Sequence, residues 1–253
     1  MIPEYPTSEL IPQLRVLWKL AFGDDDAFLD SFFSTGFSPE RCRCIVRQGQ
    51  VISALYWFDV QYQEFTYAYL YAVATHPDFR RQGLIRYLIA DTHQRLTEQG
   101  YAGALLVPGN DGLRQMYTAM GYEDCTQIND FFCSSQTMSL PLQPISRKDY
   151  QTRRRHLLPK DAVLQEGANL CFLETQANFY AGSDFLLCAA PKNGDFLRGI
   201  EFLGNPELAP RILCTLGCTH GTFRTPGQKL PFAMFCPLQK DAPAPGYFGL
   251  AFD

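Results

Sequence analysis

No stretch of this chain approaches the ~18 consecutive apolar residues that a membrane-crossing helix needs. The opening MIPEYPTSEL lacks both the basic patch and the apolar run of a secretory leader. Basic charge is scarce as well. The 22 Lys and Arg stand against 26 Asp and Glu, a formal net charge of −4 with a pI near 5.6, so no general grip on nucleic acid or anionic lipid is expected. These absences point to a cytoplasmic protein. A metal is not expected either, because Cys214, Cys218 and His220 find no fourth ligand nearby and Cys42 with Cys44 lies far away in the chain. The nine cysteines, odd in number and scattered, read as reduced core thiols rather than a disulfide frame. Apolar residues are plentiful, at 46% of 253 residues, which is enough for one large core or two small ones.

Periodicity sets the order of elements. Ser8 can cap a helix with Leu10, Leu14, Leu17, Trp18 and Ala21 on one face and Gly23 at its end, and Asp24 to Asp26 can cap a second helix carrying Phe28, Leu29, Phe32 and Phe33. Runs 41–48 and 51–63 read as a hairpin around Gly49 and Gln50. In the strand 65–75, Phe65, Tyr67, Tyr69, Tyr71, Val73 and Thr75 alternate with mostly small residues, so one face is aromatic. A helix with Leu84, Ile85, Leu88, Ile89 and Leu96 follows, then the strand AGALLVPG, then a helix capped by Asn110 or Asp111 that carries Leu113, Met116, Tyr117 and Met120. A strand near 122–133 ends this unit.

The polar, proline-bearing stretch 134–149 reads as a linker. Beyond it come helices at 146–158 and 168–181, a hairpin around Lys192, Asn193 and Gly194, a helix opened by Asn205 and Pro206, and strands at 230–237 and 246–252. The order repeats that of the first half without any sequence repeat. The expected architecture is a mixed α/β fold in two parts, residues 1–133 and 140–253. The ArgArgArgHis run at 153–156 reads as a solvated helix face.

The most informative segment is HPDFRRQGLIRYLI, 76–89. A proline-marked strand exit enters a basic, glycine-bearing turn that runs directly into an amphipathic helix. Such a turn aims successive N–H groups, a helix dipole and two arginines at one anion, and Gly83 lets that anion approach the main chain. The corresponding turn of the second half, LGNPELAP, has no arginine and places proline where donors are needed.

Taken with the preceding strand and NDGLRQMYTAMGY at 110–122, this segment resembles the acetyl-CoA site of the GNAT superfamily of N-acetyltransferases. The resemblance is specific over residues 65–122. Arg80, Gly83 and Ile85 fall on the marked positions of the family's Gln/Arg-x-x-Gly-x-Gly/Ala pattern, from which Ile85 departs in a way that would crowd the helix start. What the resemblance implies is a GNAT-like mixed sheet flanked by helices, with a smaller, degenerate GNAT-like second domain that binds no coenzyme and shapes the acceptor site. It also implies that Val73, Ala74 and Thr75 hold the pantetheine arm of acetyl-CoA, and that Arg80, Arg81, Gln82, Gly83, Leu84 and Ile85 hold the diphosphate. Asn110 would then grip the arm further down. Tyr117 matches the tyrosine that protonates the departing thiolate, although it also fits a buried stripe. The base is not written in the motif; Glu64 and Asp59 are candidates, as is Asp253 by resemblance to tandem enzymes of the enhanced-intracellular-survival type. The acceptor would be an amine on a small molecule or peptide, with Tyr67, Tyr69 and Tyr71 lining its pocket if they are not plain core. A CoA-binding regulatory module, or a transferase of longer acyl or aminoacyl groups, would share these features.

Overall fold

The computed structural model describes residues 2–252. The N-terminal half supplies α1 (Ile11–Phe22), α2 (Asp26–Ser31), β1 (Cys42–Arg47), β2 (Gln50–Tyr62), β3 (Phe65–Thr75), α3 (Leu84–Glu98), β4 (Gly103–Leu106), α4 (Asp111–Thr118), β5 (Glu123–Asp124) and β6 (Gln127–Ser134). The remainder supplies β7 (Gln143–Pro144), α5 (Arg147–Leu157), β8 (Leu164–Gln165), α6 (Ala168–Gln176), β9 (Asn178–Ala181), β10 (Leu186–Ala189), β11 (Phe196–Leu203), α7 (Ala209–Leu216), β12 (His220–Pro226), β13 (Leu230–Pro231) and β14 (Met234–Pro237). No described helix is long and apolar enough to cross a membrane.

Two mixed sheets result, ordered β1-β2-β3-β4-β14-β5, with β8 added on β2, and β13-β6-β12-β11-β10-β9-β7. Each contains one parallel pair joined by a helix: β3 and β4 through α3, β11 and β12 through α7. The two halves therefore repeat one plan, as the order of elements suggests. The division at 133–140 does not follow the sheets, however. Strand β6, expected to close the first unit, pairs with β12 from Ile128 to Ser134, while β14 is inserted between β4 and β5. Two further expectations are corrected. The helix expected to reach 181 ends at Gln176, because Asn178–Ala181 pairs with β10, and the expected strand at 246–252 is an extended tail bridged to Ala162 through Tyr247.

Apolar residues from both halves meet in one core between the sheets, including Trp18, Phe58, Phe172 and Phe248. A second core lies under α3 and α4 and a third under α7. The first hairpin turns on Gln48 and Gly49, both at positive φ, one residue earlier than the spacing suggests.

Candidate active site

Strands β3 and β4 pair only from Tyr67–Gly103 to Tyr69–Leu105. Beyond that point they part, because β3 carries a bulge: Ala72 has φ 50° and the register against β2 shifts between Ala54 and Tyr56. The aromatic alternation breaks there too. Tyr71 and Ala72 both pack toward the inter-sheet core, while Val73 packs toward α3. A notch opens between Leu70–Val73 on one strand and Leu106–Val107 on the other, and it forms one wall of a cavity of about 510 Å³.

At the outer end of the notch the chain enters the basic turn. His76 Nδ1 accepts from the Asp78 N–H at 3.3 Å, and Arg80 Nε donates to the Thr75 carbonyl at 3.1 Å. Arg81 (φ 64°) and Gly83 (φ 76°) both take left-handed conformations, so the main chain curls into the start of α3. No side chain caps that start, and nothing lies within 4 Å of where a Gly83 Cβ would be. The first N–H groups of a helix have no acceptor within it, so they are left for a ligand. Arg80, Arg81, Gln82 and Gly83 are exposed, whereas Leu84 is buried in the core beneath α3 and Ile85 is half-buried against it. The branched side chain of Ile85 packs on that core. Of the three strand residues expected along the arm, Val73 lines the cavity; Ala74 and Thr75 are buried, and the Ser53 hydroxyl and Arg80 respectively take their carbonyls. The edge available to a ligand is accordingly Leu70–Val73.

Tyr117 lies on the inner face of α4, lines the cavity and is only 6% exposed. Its hydroxyl has no hydrogen-bond partner among the described residues, and burial pushes the phenol up to about 12. Asn110 serves as the N-cap of α4, its side-chain oxygen accepting from the Leu113 N–H at 2.9 Å, and it does not line the cavity. Tyr69 and Tyr71 line the cavity, whereas Tyr67 is fully buried core, its hydroxyl donating to the Pro243 carbonyl at 2.7 Å.

The candidate bases are redistributed. Glu64 is exposed in the β2–β3 turn, seven residues or roughly 20 Å along the strand from Tyr71. It is not a cavity residue. Asp59 is held by Arg41 at 2.9 Å and the Tyr101 hydroxyl at 2.6 Å, opposite Ala68 and away from the notch. Asp253 lies outside the described residues. Phe252 before it reaches the cavity wall, its N–H donating to the Tyr69 hydroxyl at 3.2 Å.

Sequence reasoning missed Asp24, a carboxylate that lines the cavity. It accepts from the Trp18 indole N–H at 2.8 Å while its neighbour Asp25 caps α2. The surplus of acids was the available signal, because a helix start needs one cap and this one offers three. The second half contributes Leu173, Ile200 and the tail to the opposite wall.

The tail is latched by a buried polar group. Arg154 contacts Glu201 through two nitrogens, at 2.6 and 2.9 Å, and the hydroxyls of Tyr150 (2.7 Å) and Tyr247 (3.1 Å) also donate to this carboxylate. Arg154 reaches Gln165 as well, whose side-chain amide clips both the N–H and the carbonyl of Leu250. The reading of 153–156 as wholly solvated is therefore corrected. One turn after Tyr150, Arg154 faces inward and is 2% exposed.

Comparisons with known proteins agree with this geometry. Residues 4–125 match the family model described as an acetyltransferase (GNAT) domain. A GCN5-related N-acetyltransferase from Anabaena variabilis superposes with a TM-score of 0.74 at 18% identity, covering 94% of this chain and 72% of that one. Eis1 from Mycobacterium abscessus gives 0.69 at 10% identity over 96% and 75%. A tandem GNAT protein from the clavulanic acid biosynthesis pathway gives 0.57 at 12% identity, over 95% and 98% of the two chains. Comparison with curated proteins yields no match.

Proposed function

We propose that this chain, whose residues 4–125 match a GNAT acetyltransferase domain, moves the acetyl group of acetyl-CoA directly to a primary amine of a small molecule or peptide. The observation that carries this reading is the splayed β3–β4 notch, which opens into the cavity lined by Tyr117 and whose strand β3 runs on through the basic turn into the uncapped start of α3. The fit at the turn is favourable: the space beside Gly83 is open and the curl of Arg81 and Gly83 is already set.

In this reading the N–H groups from Arg81 to Ile85 and the two guanidinium groups hold the diphosphate, and the open edge of Leu70–Val73 holds the pantetheine arm as an added strand would be held. The neutral amine attacks the thioester carbonyl carbon with its nitrogen lone pair, the nitrogen gives its surplus proton to solvent water, and collapse of the tetrahedral intermediate breaks the C–S bond. Tyr117 then donates its proton to the departing sulfur. A phenol held near 12 stays protonated at neutral pH. Its basicity remains matched to the thiolate because the same mostly apolar cavity penalises both anions.

Calorimetry with acetyl-CoA tests the premise, and thiol release with an amine tests the transfer. Gly83→Ala forces an alanine to φ 76°, which costs about 1–2 kcal/mol, so acetyl-CoA affinity should fall about tenfold if the turn must hold this shape to bind. Absence of binding heat in the native protein would overturn the reading. Tight binding without thiol release under any acceptor would replace it with a coenzyme-sensing module.

A further inference from the structure

Within the cavity the acceptor side has a character of its own. Three consecutive acids follow α1, and the fold uses them differently. Asp25 caps α2, and Asp26 meets Lys19 at 2.6 Å and Arg15 at 3.4 Å on the surface. Asp24 is turned inward, half-buried, with the Trp18 indole N–H at 2.8 Å and no protein cation paired with it among the described residues. Arg198 lines the same cavity but forms no ion pair with Asp24, and a carboxylate left unpaired in mostly apolar surroundings is complementary to a cation brought by a ligand.

The surroundings of Asp24 narrow the class further. Trp18 stands edge-on to Tyr71 with ring centres 5.5 Å apart and 6.1 Å from Phe28, and Phe252 closes on Tyr71 at 5.1 Å. Trp18, Phe28, Tyr71 and Phe252 all line the cavity. Aromatic faces and edges favour a flat ring or a cation over a flexible polar chain, which would leave its own hydrogen-bonding groups unpaired there.

We propose that the acceptor is an arylalkyl-type amine, its ring lodged against Trp18, Phe28, Tyr71 and Phe252 and its single ammonium held by Asp24 until it loses a proton to solvent water and attacks as the neutral amine. This rests on the acetyl-transfer reading above and names its acceptor class. Asp24 thereby becomes an acceptor-binding residue, set beside Tyr71 on the strand whose open edge faces the coenzyme.

The test measures thiol release from acetyl-CoA by the full chain with 2-phenylethylamine, tryptamine, n-hexylamine and spermidine, alongside calorimetry with acetyl-CoA alone. The two aryl amines should exceed n-hexylamine and spermidine in kcat/KM by about tenfold or more. Asp24→Asn, which keeps an oxygen for the Trp18 N–H, should lower kcat/KM for the aryl amines about ten- to hundredfold, mainly through KM, with acetyl-CoA affinity unchanged. Preference for spermidine, equal use of n-hexylamine, no turnover with the aryl amines, or an Asp24→Asn enzyme equal to native would each overturn the acceptor assignment while acetyl-CoA still binds. Loss of acetyl-CoA binding in the native chain would instead remove the underlying reading and this inference with it. The substrate ranking is made on the native protein, so it stands even if the variant folds poorly.

Discussion

Removing one oxygen, in Tyr117→Phe, should separate chemistry from stability. The hydroxyl has no protein partner among the described residues and sits on a side chain that is 6% exposed. Its loss therefore sacrifices no internal hydrogen bond, and the variant should be as stable as the native protein or up to about 1 kcal/mol more so. For a chain of this size that is an upward shift in Tm of at most about 4 °C. Turnover should fall about 10²- to 10⁴-fold, the range a positioned general acid contributes, with acetyl-CoA affinity retained. A third readout comes from alkaline pH. Burial raises the phenol from 10.0 to about 12, so above pH 10 the unfolded chain ionises at this position while the folded one does not. Stability is fully present below pH 10 and lost as pH climbs toward 12, by about 1.4 kcal/mol at pH 11 from this group. The variant should lack that increment, visible as a smaller gap between urea unfolding at pH 8 and at pH 11. Thiol-release kinetics and paired unfolding curves decide the matter. A kcat within threefold of native refutes the acid role. A Tm several degrees lower, or an unchanged alkaline loss, refutes the picture of a hydroxyl without a protein partner on a largely buried ring.

Two further outcomes follow from buried groups. Glu201→Gln leaves the Arg154 cation without its counter-charge in a site where both residues are nearly inaccessible, so urea unfolding should show a loss of about 3–5 kcal/mol. The apolar pair Arg154→Met with Glu201→Leu should recover a large part of it. His93 is buried, with its ring nitrogen 2.6 Å from the Tyr122 hydroxyl, and burial lowers its pKa from 6.5 to about 4. The stability held by the neutral ring is present above pH 6.5 and drains as pH falls toward 4, by roughly 3 kcal/mol. His93→Asn should flatten that acid limb in thermal melts between pH 7 and pH 4.5.

The sequence was most readable where the chemistry is local. Arg80, Arg81 and Gly83 announce themselves because charge, a left-handed turn and a helix start fall within six residues, and Asn110 with Tyr117 is readable because a cap and a helical stripe share one short helix. What stayed hidden depends on distant partners. The Ala72 bulge involves neither glycine nor proline, so no residue type betrays it, and it is this bulge that parts β3 from β4. Arg154 looks solvated among three arginines until Glu201, 47 residues later, is brought against it. Asp24 could not be told from Asp25 or Asp26 without knowing which of them the helix consumes. The pairings of β6 and β14 join segments about a hundred residues apart, beyond what any local pattern encodes.

That last pairing makes the two halves hostages to one another. A fragment stopped near residue 133 would give up the neighbour that covers β4 and leave β6 with no ladder to join, while the complementary fragment would lose the neighbour that β12 requires. Each piece would present bare backbone amides along a sheet margin, a known route to clumping. Scission in the intervening linker is therefore expected to yield two fragments that recover solubility only when produced together.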